Sequence, residues 1–203
     1  VGWFDFLRRF GFGGCLADDM GLGKTVMVLA LLLARRGGNG DSRGRPRLPS
    51  LVVVPRSLVF NWRVEAERFA PALRIVEHTG IERSRDAGGF AGSDVVLTTY
   101  GTMMRDAGFF KDVEFDYVVL DEAQAIKNVR SETTKAARLL RGRHRLALSG
   151  TPIENHLGEL WSLLEFLNPG MMGASALAAQ GGASLRDPDD ETRRVLSQGL
   201  RPF

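Results

Sequence analysis

The sequence predicts a three-layer α/β domain, with a central, mostly parallel sheet and helices on both faces. Three observations predict it. Short β-branched runs alternate with helical patterns along most of the chain, the order that builds parallel sheets through crossover helices. The run Leu51–Val54 is apolar at every position and stops at Pro55, as a strand buried on both faces should. A third run, 13–17, passes through a glycine-rich turn directly into a helical stretch.

The elements follow in order. Residues 13–17 ("GGCLA") read as a short strand, and Thr25 to Arg36 as a helix stopped by Gly37-Gly38. "GGNGDSRGRPRLPS" (37–50) is a polar, basic loop rich in Gly and Pro. After the strand at 51–54, Ser57 is placed to cap a helix running to about Ala70. Strands are expected at 73–77, at 94–98 and at 117–120, the last running straight into acid. "SETTKAARLLR" (131–141) has a capping Ser131 and one apolar helical face. "RLALS" (145–149) is a further strand and "LGELWSLLEFL" (157–167) an apolar helix. Beyond "LNPG" the pattern fades into small-residue helix and loop.

Bulk composition narrows the class. At 203 residues, 44% hydrophobic and 25% charged, the chain fits one soluble domain or a large part of one. The longest apolar run, "VMVLALLLA", has nine residues and is too short to span a bilayer. A single cysteine, Cys15, rules out an internal disulfide framework and suits a reducing, intracellular setting, cytoplasmic or nucleoid in a bacterium. Cys15 reads best as a small buried apolar side chain. A net charge of +3 is no argument for nucleic acid by itself. His78, His144 and His156 lack partners at metal-site spacing, so zinc is not expected. Trp62 and Trp161 fall on helices and read as core.

The chemistry lies in three places. "LADDMGLGKTV" has the Gly-Lys-Thr of a phosphate loop, with Asp18 where the usual pattern has its first glycine. The cradle would span Asp18, Asp19, Met20, Gly21, Leu22, Gly23, Lys24 and Thr25. Gly21 and Gly23 supply backbone freedom, Lys24 the charge, and Thr25 a hydroxyl for magnesium. Such a loop needs a distant carboxylate at the end of a neighbouring strand, and "DYVVLDEAQ" provides it. Asp121 would hold magnesium, directly or through water, and Glu122 would orient or deprotonate the attacking water. In "LALSGTPIEN", Ser149 and Thr151 stand at the carboxyl end of a strand, where open α/β sheets bind ligands.

Taken together, "LADDMGLGKT", "LVVVPRSLVFNW", "VVLTTYGT", "VVLDEAQAIKN" and "LALSGTPIENHLGELWSLLEFLNPG" resemble motifs I, Ia, Ib, II and III of the Swi/Snf-like family of superfamily-two DNA translocases. The resemblance covers residues 12–170, and the "DEAQAIKN" form resembles bacterial members. In that family an acidic residue at position 18 is ordinary. The resemblance implies a RecA-like lobe, ATP with Mg2+ as substrate, and duplex DNA as a sequence-independent track. It gives Lys24, Thr25, Asp121 and Glu122 the roles argued above. It further implies that Gln124 and the turn Ser149, Gly150, Thr151 relay the γ-phosphate state. Pro55, Arg56, Ser57, Thr98, Thr99 and Tyr100 would touch one DNA strand's backbone. Arg43, Arg45 and Arg47 read as a solvated loop rather than phosphate contacts.

On the same resemblance, residues 1–166 form the first lobe, and 167–203 lead toward a second lobe whose motifs IV to VI are not found. The upstream "RPYQ"-like stretch of the family is not found either. The chain is therefore expected to be a fragment that binds ATP but hydrolyses it poorly, for want of arginine fingers in cis. Two rivals stand against this. A superfamily-one helicase can show "DEAQ" but predicts a standard glycine pattern and no "SGTPIEN" block. A passive DNA-binding or partner-docking module would show no ATP-dependent change in DNA affinity. The protein target displaced from DNA is not legible.

Overall fold

A computed structural model describes residues 2–17, 21–37, 47–83, 85–150 and 157–171. Six strands, β1 (Gly14–Ala17), β2 (Ser50–Val54), β3 (Ile75–His78), β4 (Val95–Thr99), β5 (Glu114–Leu120) and β6 (Arg141–Ser149), form one sheet. Their order is β1-β6-β5-β2-β4-β3, and every pairing is parallel. The helices are α1 (Gly2–Phe10), α2 (Lys24–Gly37), α3 (Val59–Phe69), α4 (Tyr100–Arg105), α5 (Ala107–Phe110), α6 (Glu132–Leu139) and α7 (Leu157–Leu167).

Strand alternation assigns the helices to faces. On β2, Leu51 and Val53 point into one core with Met103 of α4, Phe110 of α5, Ala137 of α6 and Phe166 of α7. Val52 and Val54 point into the other, with Phe4 of α1, Leu29 and Leu32 of α2, and Trp62 and Ala66 of α3. β5 divides the same way, Val118 and Leu120 against Tyr117 and Val119. The result is the three-layer α/β arrangement of a RecA-like lobe, α1–α3 on one face and α4–α7 on the other. A fully buried valine or leucine contributes ~1.5–3 kcal/mol, and all five residues of β2 are buried, so this strand anchors both layers.

The amino edge of the sheet is held by ion pairs. Arg35, in the last turn of α2, forms two 2.9 Å bonds to Asp116. Asp94 accepts from Arg47 at 2.7 Å and from the Arg74 backbone at 2.8 Å, with Arg36 at 3.3 Å. Arg47 is thus tied to the sheet rather than loose in a solvated loop; Arg43 and Arg45 lie outside the described residues. At the outer edge, the Asn168 side chain takes the backbone N–H of Gly13 at 2.8 Å. A Cβ at Gly13 would sit 2.4 Å from the Leu167 carbonyl oxygen, so the close approach of α7 requires glycine there.

The differences from expectation have physical causes. Ser57 makes no cap, because the chain leaves β2 through a 3₁₀ turn, Arg56–Leu58, closed by the Leu58 N–H on the Pro55 carbonyl. β3 begins at Ile75, two residues after the expected start. β5 and β6 each start earlier than the apolar signal suggests. Their opening residues are polar and meet across the ladder, with Arg143 against Glu114. α4 and α5 were not anticipated: "YGTMMRDAGFF" carries two glycines and breaks at Asp106, which hides its helical character.

Candidate active site

The carboxyl edge of the parallel sheet is where the candidate residues gather. β6 lies between β1 and β5, with Ser149 opposite Ala17 and Ala147 opposite Leu120. Ser149, buried at the end of β6, therefore stands between the loop that follows β1 and the acidic turn that follows β5. The next two strands across, β2 and β4, end side by side with Val54 opposite Thr99. From β1 to β4 the row spans roughly 20 Å at ~4.8 Å per strand.

Gly21 and Gly23 adopt φ of 87° and 75°, a region other residues enter only under strain. Among the described residues, chain neighbours apart, no heavy atom lies within 4 Å of a Cβ built on either, so open space flanks both glycines. Lys24 and Thr25 open α2, whose first-turn amides point back toward the turn that precedes it. Asp18, Asp19 and Met20 lie outside the described residues.

Asp121 is buried, and each of its polar atoms has a partner. Its N–H donates to the Val53 carbonyl at 2.9 Å. One carboxylate oxygen accepts from the Glu122 N–H at 2.9 Å, and the other from the Trp62 indole N–H at 2.8 Å. Its carbonyl accepts from the Tyr100 hydroxyl at 2.8 Å. Burial raises the Asp121 carboxyl above its ordinary value; the Trp62 bond opposes this, and the charge of Lys24 also draws it down. Burial, followed by the charges of Asp121 and Glu122, holds the Tyr100 phenol well above its ordinary value, so it remains a donor.

Glu122 has φ 51° and ψ 56° and is the one non-glycine at positive φ among the described residues. Strain of ~1–3 kcal/mol at such a residue persists only where surroundings over-determine it. Here the 3₁₀ turn Ala123–Ile126 is pinned at its far end, the Ile126 carbonyl accepting from Thr134 and Ser162. The turn aims the Glu122 side chain toward Gln124, whose amide donates to it at 2.6 Å. A buried carboxylate, a lysine beside an open amide turn and a half-exposed glutamate are the donor set that a magnesium–nucleotide requires. The residues fit that group.

Of the residues expected to face DNA, Arg56 and Ser57 are exposed, and Pro55 is half-buried at the start of the 3₁₀ turn. Thr99 caps α4, accepting from the Thr102 N–H at 3.2 Å. Thr98 departs from expectation: it is fully buried and its hydroxyl donates to the His78 carbonyl at 2.7 Å. It lies on the packed face of an internal strand, so its side chain is closed to a phosphate. Gly150 follows Ser149 in a half-buried bend; Thr151 and His156 lie outside the described residues. Trp62 is core, as read, but it also reaches the site. The signal was available: a buried indole N–H usually finds an acceptor. Among the described residues no helix is long and apolar enough to cross a membrane.

A family model described as the SNF2-related domain matches residues 1–203. Over the whole of this chain, the putative ATP-dependent helicase/translocase YwqA of Bacillus subtilis is 40% identical, the match covering 22% of its length. The TATA-binding protein-associated factor mot1 of Schizosaccharomyces pombe is 40% identical over 85% of the chain and 9% of its own length. The chain thus spans under a quarter of each of these curated relatives. Among solved structures, the Sulfolobus solfataricus SWI2/SNF2 ATPase core in complex with dsDNA superposes with a TM-score of 0.83 at 38% identity, covering 100% of this chain and 41% of that one. With its all-parallel sheet and its full-length family match, this chain belongs to the SNF2-related domain family.

Proposed function

We propose that this chain is the ATP-binding first lobe of a DNA-dependent ATPase that moves along duplex DNA and remodels protein–DNA complexes. The observation that carries this is the row of side chains along one sheet edge: Lys24 after β1, Ser149 at β6, Asp121 and Glu122 after β5, and Arg56 and Ser57 after β2. In this reading residues 1–166 form the lobe, 167–203 lead to a second lobe, and the protein works inside the cell. Bound Mg2+–ATP supplies the transferable phosphoryl group and the cation that neutralises its charge. The α2 amides and Lys24 would hold the phosphates, Thr25 and Asp121 would hold the cation, Asp121 directly or through water, and Glu122 would orient the attacking water or accept its proton. Gln124 restrains Glu122, and Ser149 to Thr151 sense the terminal phosphate. Arg56, Ser57 and the backbone around Thr99 meet DNA phosphates, with salt-sensitive affinity.

In this reading the finger arginine that reaches the terminal phosphate belongs to a second lobe, and such a group is worth ~10³–10⁵ in rate. Alone, this chain should bind nucleotide and turn it over poorly. The test is calorimetry with Mg2+–ATP on this chain beside Lys24→Ala, together with ATPase rates with and without duplex. Binding that disappears in Lys24→Ala, with near-background turnover, is expected. A turnover rate matching that of two-lobe motors would refute the division of labour. Duplex affinity indifferent to ATP would favour a passive docking module.

A further inference from the structure

Two segments that the proposed function turns toward DNA each send one side chain back to the same residue of the nucleotide half. Trp62 lies on α3, one turn beyond the Arg56–Leu58 turn, and its indole N–H donates to an Asp121 carboxylate oxygen at 2.8 Å. Tyr100 is the first residue of α4, directly after Thr99, and its hydroxyl donates to the Asp121 carbonyl at 2.8 Å. One bond fixes the rotation of the carboxylate and the other the peptide plane that carries it. Both are made by neutral donors, so neither competes with a cation for charge, and each leaves the carboxylate oxygens further lone pairs.

We propose that Trp62 and Tyr100 are positioning residues that couple duplex contact to the geometry of Asp121. A duplex phosphate drawn against Arg56 and Ser57 bears on the start of α3, and one drawn against Thr99 bears on the start of α4. Any shift of either helix is delivered to residue 121 through a single hydrogen bond. The inference rests on the ATPase reading above; it adds the path by which DNA sets the rate. Burial of Trp62 for packing alone would not require its N–H to meet the acid of motif II. Trp161 provides the contrast: its indole nitrogen is buried with no partner among the described residues.

The test uses the full two-lobe protein and the variants Trp62→Phe, Tyr100→Phe and Trp161→Phe, each judged only where it melts cooperatively. Kinetically, Trp62→Phe and Tyr100→Phe should each lose ~5–50-fold of the duplex stimulation of kcat, a common size for coupling between sites. Duplex affinity should stay within about 3-fold, because neither side chain is proposed to touch DNA. Trp161→Phe should keep the stimulation. A second readout needs no turnover: in protein with ¹⁵N-labelled indoles, the Trp62 N–H signal, identified by its loss in Trp62→Phe, should move when duplex is added without nucleotide. Unchanged stimulation in both variants, or a Trp62 signal unmoved by saturating duplex, overturns the coupling. Mn2+–ATP should broaden the same signal whether or not the coupling exists. Absence of that broadening, or of any duplex stimulation in the unaltered protein, would instead overturn the underlying site.

Discussion

Asp116, near the start of β5, and Asp121, just past its end, stand five residues apart, and the sheet treats them in opposite ways. At the amino edge, Asp116 meets the Arg35 guanidinium in two 2.9 Å bonds, charge against charge. At the carboxyl edge, Asp121 is bonded by an indole and a backbone amide, neutral donors that orient the carboxylate without cancelling it. The first arrangement is complete in itself. The second leaves a buried carboxylate whose ionisation is disfavoured chiefly by burial, a cost that a bound cation would relieve. On the proposed function, the same side chain is structural near the start of the strand and functional just past its end, and the type of partner separates the two.

Neutralising the two carboxylates should separate these roles. Asp121→Asn should lower the ATPase rate of the full protein by ~10²-fold or more, at least the scale seen when groups supporting a metal are removed. Its folding stability should change by about 1 kcal/mol or less, since relief of a desolvated charge offsets the imperfect fit of an amide. Asp116→Asn should do the reverse, costing ~1–3 kcal/mol in urea unfolding through the pair with Arg35 and leaving nucleotide affinity unchanged. Equal losses of stability in the two variants would erase the distinction.

Acid provides a second way to sharpen it, because carboxylates shifted in opposite directions respond to pH with opposite signs. Asp106 is enclosed by His78, Arg83 and Arg85, with Arg83 its dominant partner, and its carboxyl is held well below the usual range. A depressed carboxyl stabilises the fold above its unfolded value, near 3.8, and that contribution is lost as pH falls below it. Burial also lowers His78 and His144 from 6.5, so each begins to weaken the fold as pH drops through that value. Asp121, being raised, favours folding most at low pH and loses that contribution as pH rises through its folded value. Stability should therefore decline in two stages, below about 6.5 and again below about 4. Asp106→Asn, less stable at pH 7, should flatten the second stage, and Asp121→Asn should not. Chemical denaturation across pH 3–8 checks both signs.

Legibility in the sequence follows the same division. β2 was readable because burial on both faces leaves an uninterrupted apolar run, and α7, which spans the expected 157–167, because most of its positions are apolar. The cradle and the acidic turn were readable because their chemistry demands particular residues at short range. The rest depended on partners distant in sequence. The opening of β6 is polar and finds its place only against Glu114 of β5. Thr98 looked available until β4 proved internal, and Trp62 looked like packing until α3 brought it 59 positions across the chain to Asp121.

Cys15 offers the smallest effect and the most local probe of the cradle. It lies on β1 opposite Ala147, half-buried against the core, and burial pushes its thiol up from 9.0 to about 11, with the charge of Lys24 drawing it partly back. Reaction with iodoacetamide depends on the thiolate, so at pH 8 the shift alone should slow alkylation about 100-fold relative to an unperturbed cysteine. Phosphates bound against Lys24 would offset its charge and let the thiol rise further, slowing the reaction by at most ~3-fold more. Lys24→Met should reproduce that small slowing without nucleotide and abolish any response to it. A free-cysteine rate at pH 8 would mean that β1 opens readily. A nucleotide response that survives Lys24→Met would mean that the phosphates act on Cys15 without Lys24.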